Sequence, residues 1–176
     1  MNKENMSFSK AFAVKLGISA VIAINGATLA GCDFVAQQEL KAGVSTADDV
    51  KKFMGKPEMV WEEKDGTLFM EFPRSPEGTQ TYVVEIGPDG KYKGMKNILN
   101  DESFAKIQPR QTQDDVRRTL GKPGEQVQFK LKNEVVWSWK FSPSHGKSEI
   151  FNVHFNPEGK VKTTSKSVDP RTMEGG

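Results

Sequence analysis

The feature that most constrains the fold is a phrase that the sequence contains twice. Residues 46–57 read TADDVKKFMGKP, and residues 112–123 read TQDDVRRTLGKP. Seven of these twelve positions are identical at a constant offset of 66. Self-similarity at a fixed spacing indicates one supersecondary unit that occurs more than once. We therefore expect two related modules in this chain of 176 residues.

The repeated phrase has the pattern of a short capped helix. Thr46 is a favourable N-cap, and Asp49 lies three residues further on, as in a capping box. Gly55 suits a left-handed C-terminal cap, and Pro57 prevents the helix from continuing. Three apolar residues between them lie on one helix face: Val50, Phe53 and Met54. The second copy predicts the same helix from Thr112, Asp115, Val116, Leu120, Gly121 and Pro123.

Strand patterns follow each helix. In the second copy, apolar residues alternate with mostly polar ones in two segments: Val127, Phe129 and Leu131, then Val135, Trp137, Trp139 and Phe141. Such alternation is typical of half-buried strands. In the first copy, Leu68, Met70 and Phe72 match Trp137, Trp139 and Phe141 at an offset of 69. This alignment predicts three extra residues in the second copy, in the turn around Lys132 and Asn133.

A third strand completes each unit and runs into a turn. Its apolar residues are Tyr82, Val84 and Ile86 in the first copy and Phe151, Val153 and Phe155 in the second. The turns read GPDGK at 87–91 and NPEGK at 156–160, which are reverse-turn compositions. A short fourth strand can follow each turn. The sequence thus predicts an α+β fold with two tandem helix-plus-antiparallel-sheet modules, at 41–100 and 101–169, and a flexible tail at 170–176.

The first 31 residues are predicted to be a signal peptide. Lys3, Lys10 and Lys15 give a positive start, and an uncharged apolar run follows over residues 16–31. As a helix this run would rise about 24 Å, less than the roughly 30 Å hydrocarbon core, which favours a signal peptide over a membrane span. The run ends in residues that resemble a bacterial lipobox: Leu29, Ala30, Gly31 and Cys32.

Cys32 is the one cysteine of the chain. The lipobox resemblance implies cleavage before Cys32 and covalent acylation, for instance by palmitate, of this residue. Several acyl chains together give stable membrane anchoring. An ordinary signal peptide followed by a chance cysteine is the alternative. Residues 32–40 are then a lipidated linker, and Asp33 after the cysteine is compatible with the inner membrane.

The repeated module resembles the small envelope lipoproteins of the BamE family, also called SmpA or OmlA. The resemblance covers about residues 40–165 and depends on the pattern G-x-[ST]-x-x-D-V-x-x-x-x-G-x-P and the turn after the third strand. The first copy supplies this pattern from Gly43, Ser45, Thr46, Asp49, Val50, Gly55 and Pro57, and the second departs from it at Pro109. A tandem pair of such modules is also similar to the β-lactamase inhibitor protein. The BamE resemblance implies an outer-membrane, periplasm-facing lipoprotein that binds envelope proteins, with the β-barrel assembly machinery as a candidate partner.

The sequence offers little for catalysis or for metal and cofactor binding. His145 lies in a loop composition, and His154 lies opposite the predicted core; neither has Cys, His, Asp or Glu at metal-ligand spacing. The aspartate pairs are explained by helix capping. Without the signal segment the charges balance, which disfavours nucleic-acid binding. We expect no enzyme and no cofactor besides the lipid on Cys32; a hydrolase that uses Ser144 and His145 is the minor alternative.

The remaining candidate is a protein-binding surface on the sheet faces that point away from the cores. Its candidate residues are Phe69, Glu71, Val83, Glu85, Val136, Ser138, Lys140, Asn152 and His154. We therefore predict a non-enzymatic binding or scaffolding lipoprotein of the bacterial envelope, in outer-membrane protein assembly or envelope integrity. The alternative is an inhibitor-like protein that uses the open sheet face to bind a secreted or periplasmic enzyme.

Overall fold

The structure, a computed structural model, describes residue 36 and residues 38–74, 78–143 and 147–172. These residues form two four-stranded antiparallel sheets, each with its strands in chain order. The first module contains helix α1 and four strands: α1 (Ala47–Met54), β1 (Met59–Glu62), β2 (Leu68–Arg74), β3 (Gln80–Ile86) and β4 (Tyr92–Asn97). The α+β class predicted from the sequence is confirmed.

The second module repeats the helix and the four strands, and a short helix precedes them. It contains α2 (Asp101–Phe104), α3 (Gln113–Leu120), β5 (Glu125–Phe129), β6 (Glu134–Phe141), β7 (Glu149–Phe155) and β8 (Val161–Val168). Short 3-10 segments follow β5 and β8, at Lys130–Lys132 and Pro170–Thr172. A fourth strand is present in both modules, and β8 is longer than the short strand that the sequence predicts.

Both copies of the repeated phrase form the predicted capped helix. In α1 the Thr46 hydroxyl accepts from the N–H of Asp49, whose carboxylate accepts from the N–H of Thr46, and α3 repeats this capping box. Gly55 and Gly121 end the two helices with φ of +85° and +72°. Their ψ angles of −161° and −168° are extended, not left-handed helical as predicted. This backbone region belongs almost only to glycine.

Each helix packs on one face of its own sheet. The first core contains Ala36, Leu40, Val50, Met54, Met70, Phe72, Val84, Ile86 and Tyr92. The second core contains Leu99, Phe104, Ile107, Val116, Leu120, Trp139, Phe141, Phe151, Val153, Phe155 and Val161. Trp139 is 1% exposed, and its indole N–H donates to the carbonyl of Gly121 at 3.2 Å. A buried indole of this size removes roughly 150–250 Å² from water and so anchors the second core.

The strand register corrects the alignment of the two copies. Val84 pairs with Met70, whereas its counterpart Val153 pairs with Trp137. Met70 therefore corresponds to Trp137 at an offset of 67, not to Trp139 at 69. One of the three extra residues lies between the first two strands, and the other two lie in the loop at 142–148. Alternation alone did not reveal this, because a shift of two residues keeps every side chain on its face.

Two predicted boundaries also differ from the structure. Residues 36, 38 and 39 are helical, and Ala36 and Leu40 belong to the first core, so the predicted linker at 32–40 contributes to the folded body. Residues 170–172 of the predicted tail form a turn in which the hydroxyl of Thr172 donates to the carbonyl of Asp169 at 2.8 Å.

Candidate interaction surfaces

The outer face of the first sheet, opposite its core, carries the four predicted residues of that module. Phe69 stacks on Trp61 of the neighbouring strand with ring centroids 5.6 Å apart. Val83 is 5% exposed, whereas Glu85 is exposed. Glu71 is completely buried, although a carboxylate between Met70 and Phe72 would be expected to face water.

Glu71 is buried because the second module covers it. The N–H of Lys122 donates to Oε1 of Glu71 at 2.8 Å, and the Arg117 guanidinium hydrogen-bonds to Oε2. Arg117 lies in α3 with its side chain 19% exposed. A buried carboxylate needs such charged and backbone donors, since an unpaired charge in the interior is strongly destabilising. Glu71 therefore joins the two modules.

Two exposed ion pairs lie beside this contact. Nζ of Lys122 is 2.6 Å from Oε1 of Glu58, and Arg118 is 3.8 Å from Glu63. The hydrogen bond from Lys122 holds the pKa of Glu58 below its usual value. Exposed pairs of this kind contribute at most about 1 kcal/mol each. The buried contact at Glu71 thus dominates the electrostatics between the modules.

Gly121 permits the close approach. A Cβ at this position would lie 2.9 Å from Oε1 of Glu71 and 3.1 Å from Cγ2 of Thr81. At the matching Gly55, no described atom lies within 4 Å of such a Cβ. The glycine of the second copy therefore serves both the helix end and the module contact.

The outer face of the second sheet carries the other five predicted residues. The Ser138 hydroxyl donates to Oδ1 of Asn152 at 2.8 Å across β6 and β7. Val136 is 7% exposed and pairs with His154 in the ladder. Lys140 is 3.4 Å from Asp169, whose side chain is 7% exposed. The structure thus brings these residues onto one sheet face, as the alternation predicts.

His154 lies between two polar groups on this face. Its Nδ1 is 2.8 Å from Oε1 of Glu134, and its Nε2 is 3.1 Å from Oγ of Ser165. Lys162 lies 3.4 Å from the other oxygen of Glu134. The hydrogen bond from His154 lowers the pKa of Glu134, burial opposes the shift, and the positive charge of Lys162 adds to the lowering. The order acid, imidazole, hydroxyl is also found in hydrolases, but here Ser165 lies on the exposed strand β8.

An open groove of about 700 Å³ lies beside these residues. When the two modules are aligned, Glu71 and Thr81 of the first sheet correspond to Ser138 and Ile150 of the second sheet. The second module covers Glu71 and Thr81. Ser138 and Ile150 instead line the groove, together with Lys140, Gly124, Glu125, Gly78, Asp169, Pro170 and Arg171. The groove is therefore the open counterpart of the buried module contact.

Several predictions concern residues outside the described part of the chain. Residues 29–32, the lipobox and Cys32, lie outside the described residues, as do Ser144 and His145. Within the described ranges, no three His, Cys, Asp or Glu side chains are grouped so that they could hold a metal ion. No helix among the described residues has the length and hydropathy of a membrane span.

Sequence reasoning missed the residues that join the modules. The sequence patterns assign no function to Arg117 and Lys122, and they place Glu71 on an open face. Their pairing links positions 46 and 51 residues apart in the chain. No local sequence pattern indicates this pairing. The apolar Val83 beside Glu71 is a sign in the sequence that the outer face of the first sheet is covered.

Comparisons with known proteins leave the family open. No protein-family model and no curated protein sequence matches the chain. Among solved structures, a putative osmotically inducible lipoprotein, OsmE, is similar over 39% of this chain and 72% of its own, with 23% identity and a TM-score of 0.35. A putative β-lactamase inhibitor protein from Streptococcus mutans covers 77% of this chain and 95% of its own, with 12% identity and a TM-score of 0.32.

A third similar structure belongs to a DUF4309 family protein from Bacillus subtilis. It covers 75% of this chain and 84% of its own, with 14% identity and a TM-score of 0.29. At these values the likenesses carry no argument about activity or partners. The α+β class rests on the helices and sheets described above.

Proposed function

We propose that this chain is a lipid-anchored protein of the bacterial envelope that binds another envelope protein and catalyses no reaction. The observation that carries the proposal is the module contact. Inside this chain, the outer face of the first sheet already binds a protein surface through Glu71. The same face of the second sheet is open and lined by polar and apolar groups, so it is suited to bind a protein from outside.

The position of Cys32 supports a location at the membrane surface. Ala36 is buried in the first core, four residues after Cys32. Four residues of extended chain reach at most about 14 Å. A lipid on Cys32 would therefore hold the first module close to the bilayer, where membrane-embedded envelope proteins are within reach. The BamE resemblance makes the β-barrel assembly machinery of the outer membrane our first candidate partner.

The lipid anchor is tested by Cys32→Ser with membrane fractionation. We expect the variant to leave the membrane fraction, while the unchanged chain shows by density centrifugation which membrane it occupies. Retention of the variant in membranes would contradict the anchor.

The binding face is tested by Asn152→Arg, which places a long charged side chain on the open face. We expect this variant to lose a partner that the unchanged chain recovers from gently solubilised membranes, because the added charge blocks close packing. Lys130→Glu, on the exposed 3-10 segment, is the matched control and should keep the partner. If the lipid-free domain bound a soluble periplasmic enzyme instead, the inhibitor alternative would replace this proposal.

A further inference from the structure

The module contact shows what the repeated phrase can bind. We define the docking turn of the second module by Arg117, Gly121 and Lys122. Its backbone N–H at Lys122 and its guanidinium at Arg117 together hold the carboxylate of Glu71. Gly121 lets the turn lie directly on the sheet, since a Cβ there would collide with that carboxylate. The docking turn is therefore a receptor for an acidic side chain that stands on an antiparallel sheet.

The first module contains the same docking turn, formed by Lys51, Gly55 and Lys56. The backbones of the two turns agree, because both glycines have positive φ and extended ψ. The N–H of Gly55 donates to the carbonyl of Lys51 at 2.9 Å, as Gly121 does to Arg117 at 3.0 Å. The N–H of Lys56 and the cation at Lys51 thus stand where the second turn has its two carboxylate donors.

Among the described residues, nothing covers the docking turn of the first module. Lys51 is 49% exposed and contacts Asp48 of its own helix at 3.1 Å. A groove of about 590 Å³ borders the turn, with Glu58, Met59 and the 49% exposed Val60 along its side. The surroundings of Gly55 are open, in contrast to the tight contact at Gly121.

The charges of this turn select its occupant. The segment carries Lys51, Lys52 and Lys56. Its nearby carboxylates are all engaged: Asp48 contacts Lys51, Asp49 belongs to the capping box, and Glu58 pairs with Lys122. In a second copy of the chain, Glu71, the carboxylate that fits such a turn, is already held by Arg117 and Lys122. We therefore take the occupant to be an acidic side chain of a different protein.

We propose that the docking turn of the first module binds an aspartate or glutamate on the outer sheet face of another envelope protein, as the second turn binds Glu71. The proposal rests on the proposed function, since it names the residues and the partner chemistry of envelope-protein binding. It adds a second contact region, distinct from the open face of the second sheet.

The experiment places a photo-crosslinking amino acid at position 56 of the full chain in the cells that produce it. We expect the cross-linked peptide of the partner to be a strand that carries Asp or Glu. Lys51→Glu should lower the cross-link yield about tenfold or more, the effect of reversing one charge of a close interfacial pair. Changing the partner's acidic residue to lysine should then restore the yield in the Lys51→Glu chain.

Lys64→Glu is the matched control, because Lys64 is an exposed lysine in the turn between β1 and β2. It should leave the yield unchanged. A cross-link to a second copy of this chain, a yield that Lys51→Glu does not alter, or no cross-link at all would overturn the proposal. A cross-linker at position 140 separates the two proposals: if it captures a partner while position 56 does not, the proposed function stands and the docking turn fails.

Discussion

Replacing Glu71 with alanine should strongly destabilise the chain. The change leaves the mostly buried Arg117 guanidinium without its carboxylate, and the N–H of Lys122 without an acceptor. Breaking a buried ion pair from one side costs about 3–5 kcal/mol. We therefore expect the equilibrium constant for unfolding to rise about a hundredfold or more, at 1.36 kcal/mol for each factor of ten.

Urea unfolding followed by tryptophan fluorescence measures this effect. Trp61 reports on the first module, and Trp137 and Trp139 report on the second. In the unchanged chain the Glu71 contact couples the modules. In the Glu71→Ala chain, we expect lower transition midpoints and separate unfolding of the two modules.

Two further variants show whether breaking the ion pair causes the loss of stability in Glu71→Ala. Glu85→Ala removes an exposed carboxylate from the same sheet face and should change stability by no more than about 0.5 kcal/mol. The double variant Glu71→Met with Arg117→Met should recover the part of the loss that the unpaired Arg117 guanidinium causes, because packed apolar side chains can replace a buried pair without penalty. The N–H of Lys122 stays without its acceptor in this variant. A loss of about 1 kcal/mol or less in Glu71→Ala would refute the module contact as described.

Three other outcomes follow from the same contacts. Gly121→Ala should destabilise the chain more than Gly55→Ala. Both changes strain a glycine-only backbone by about 1–3 kcal/mol, but only the change at Gly121 forces a Cβ against Glu71. Equal losses of stability in urea unfolding would contradict the close approach at Gly121. The hydrogen bond at Glu134, whose pKa is lowered from 4.5, stabilises the fold above that pH and is lost as the pH falls below it. The stability advantage of the unchanged chain over Glu134→Gln should therefore shrink on acidification. A difference that stays constant with pH would contradict this role of Glu134. Ser165 should not react with a fluorophosphonate ester, and labelling that disappears in His154→Ala would instead reveal an enzyme.

The module itself was predictable because its determinants are local. Thr46 and Asp49, or Thr112 and Asp115, cap their helices through bonds that span three residues. The apolar alternation in β2, β3, β6 and β7 assigned each side chain to the core or outer face, and the structure keeps these assignments. Gly55 and Gly121 were expected to require positive φ, and they do.

The correspondence of the two copies was only partly predictable. A one-residue error of alignment would move Trp137 and Trp139 to the outer face and so would contradict the apolar alternation. The two-residue error keeps both side chains on the core face. The hydrogen-bonded ladder decides between these alignments, because it pairs Val153 with Trp137. Loop lengths at 75–79 and 142–148 absorb the difference at little entropic cost.

By itself, the sequence determined the repeated helix, its N-cap, its glycine stop and the central strands β2, β3, β6 and β7, since each depends on neighbours within a few residues. Only the tertiary structure decided that Glu71 is buried and that the second copy of the phrase holds it. That outcome depends on Arg117 and Lys122 meeting a carboxylate from a separate sheet, and no spacing in the chain encodes such a meeting. The two copies therefore share one local structure, while their surroundings give them different tasks.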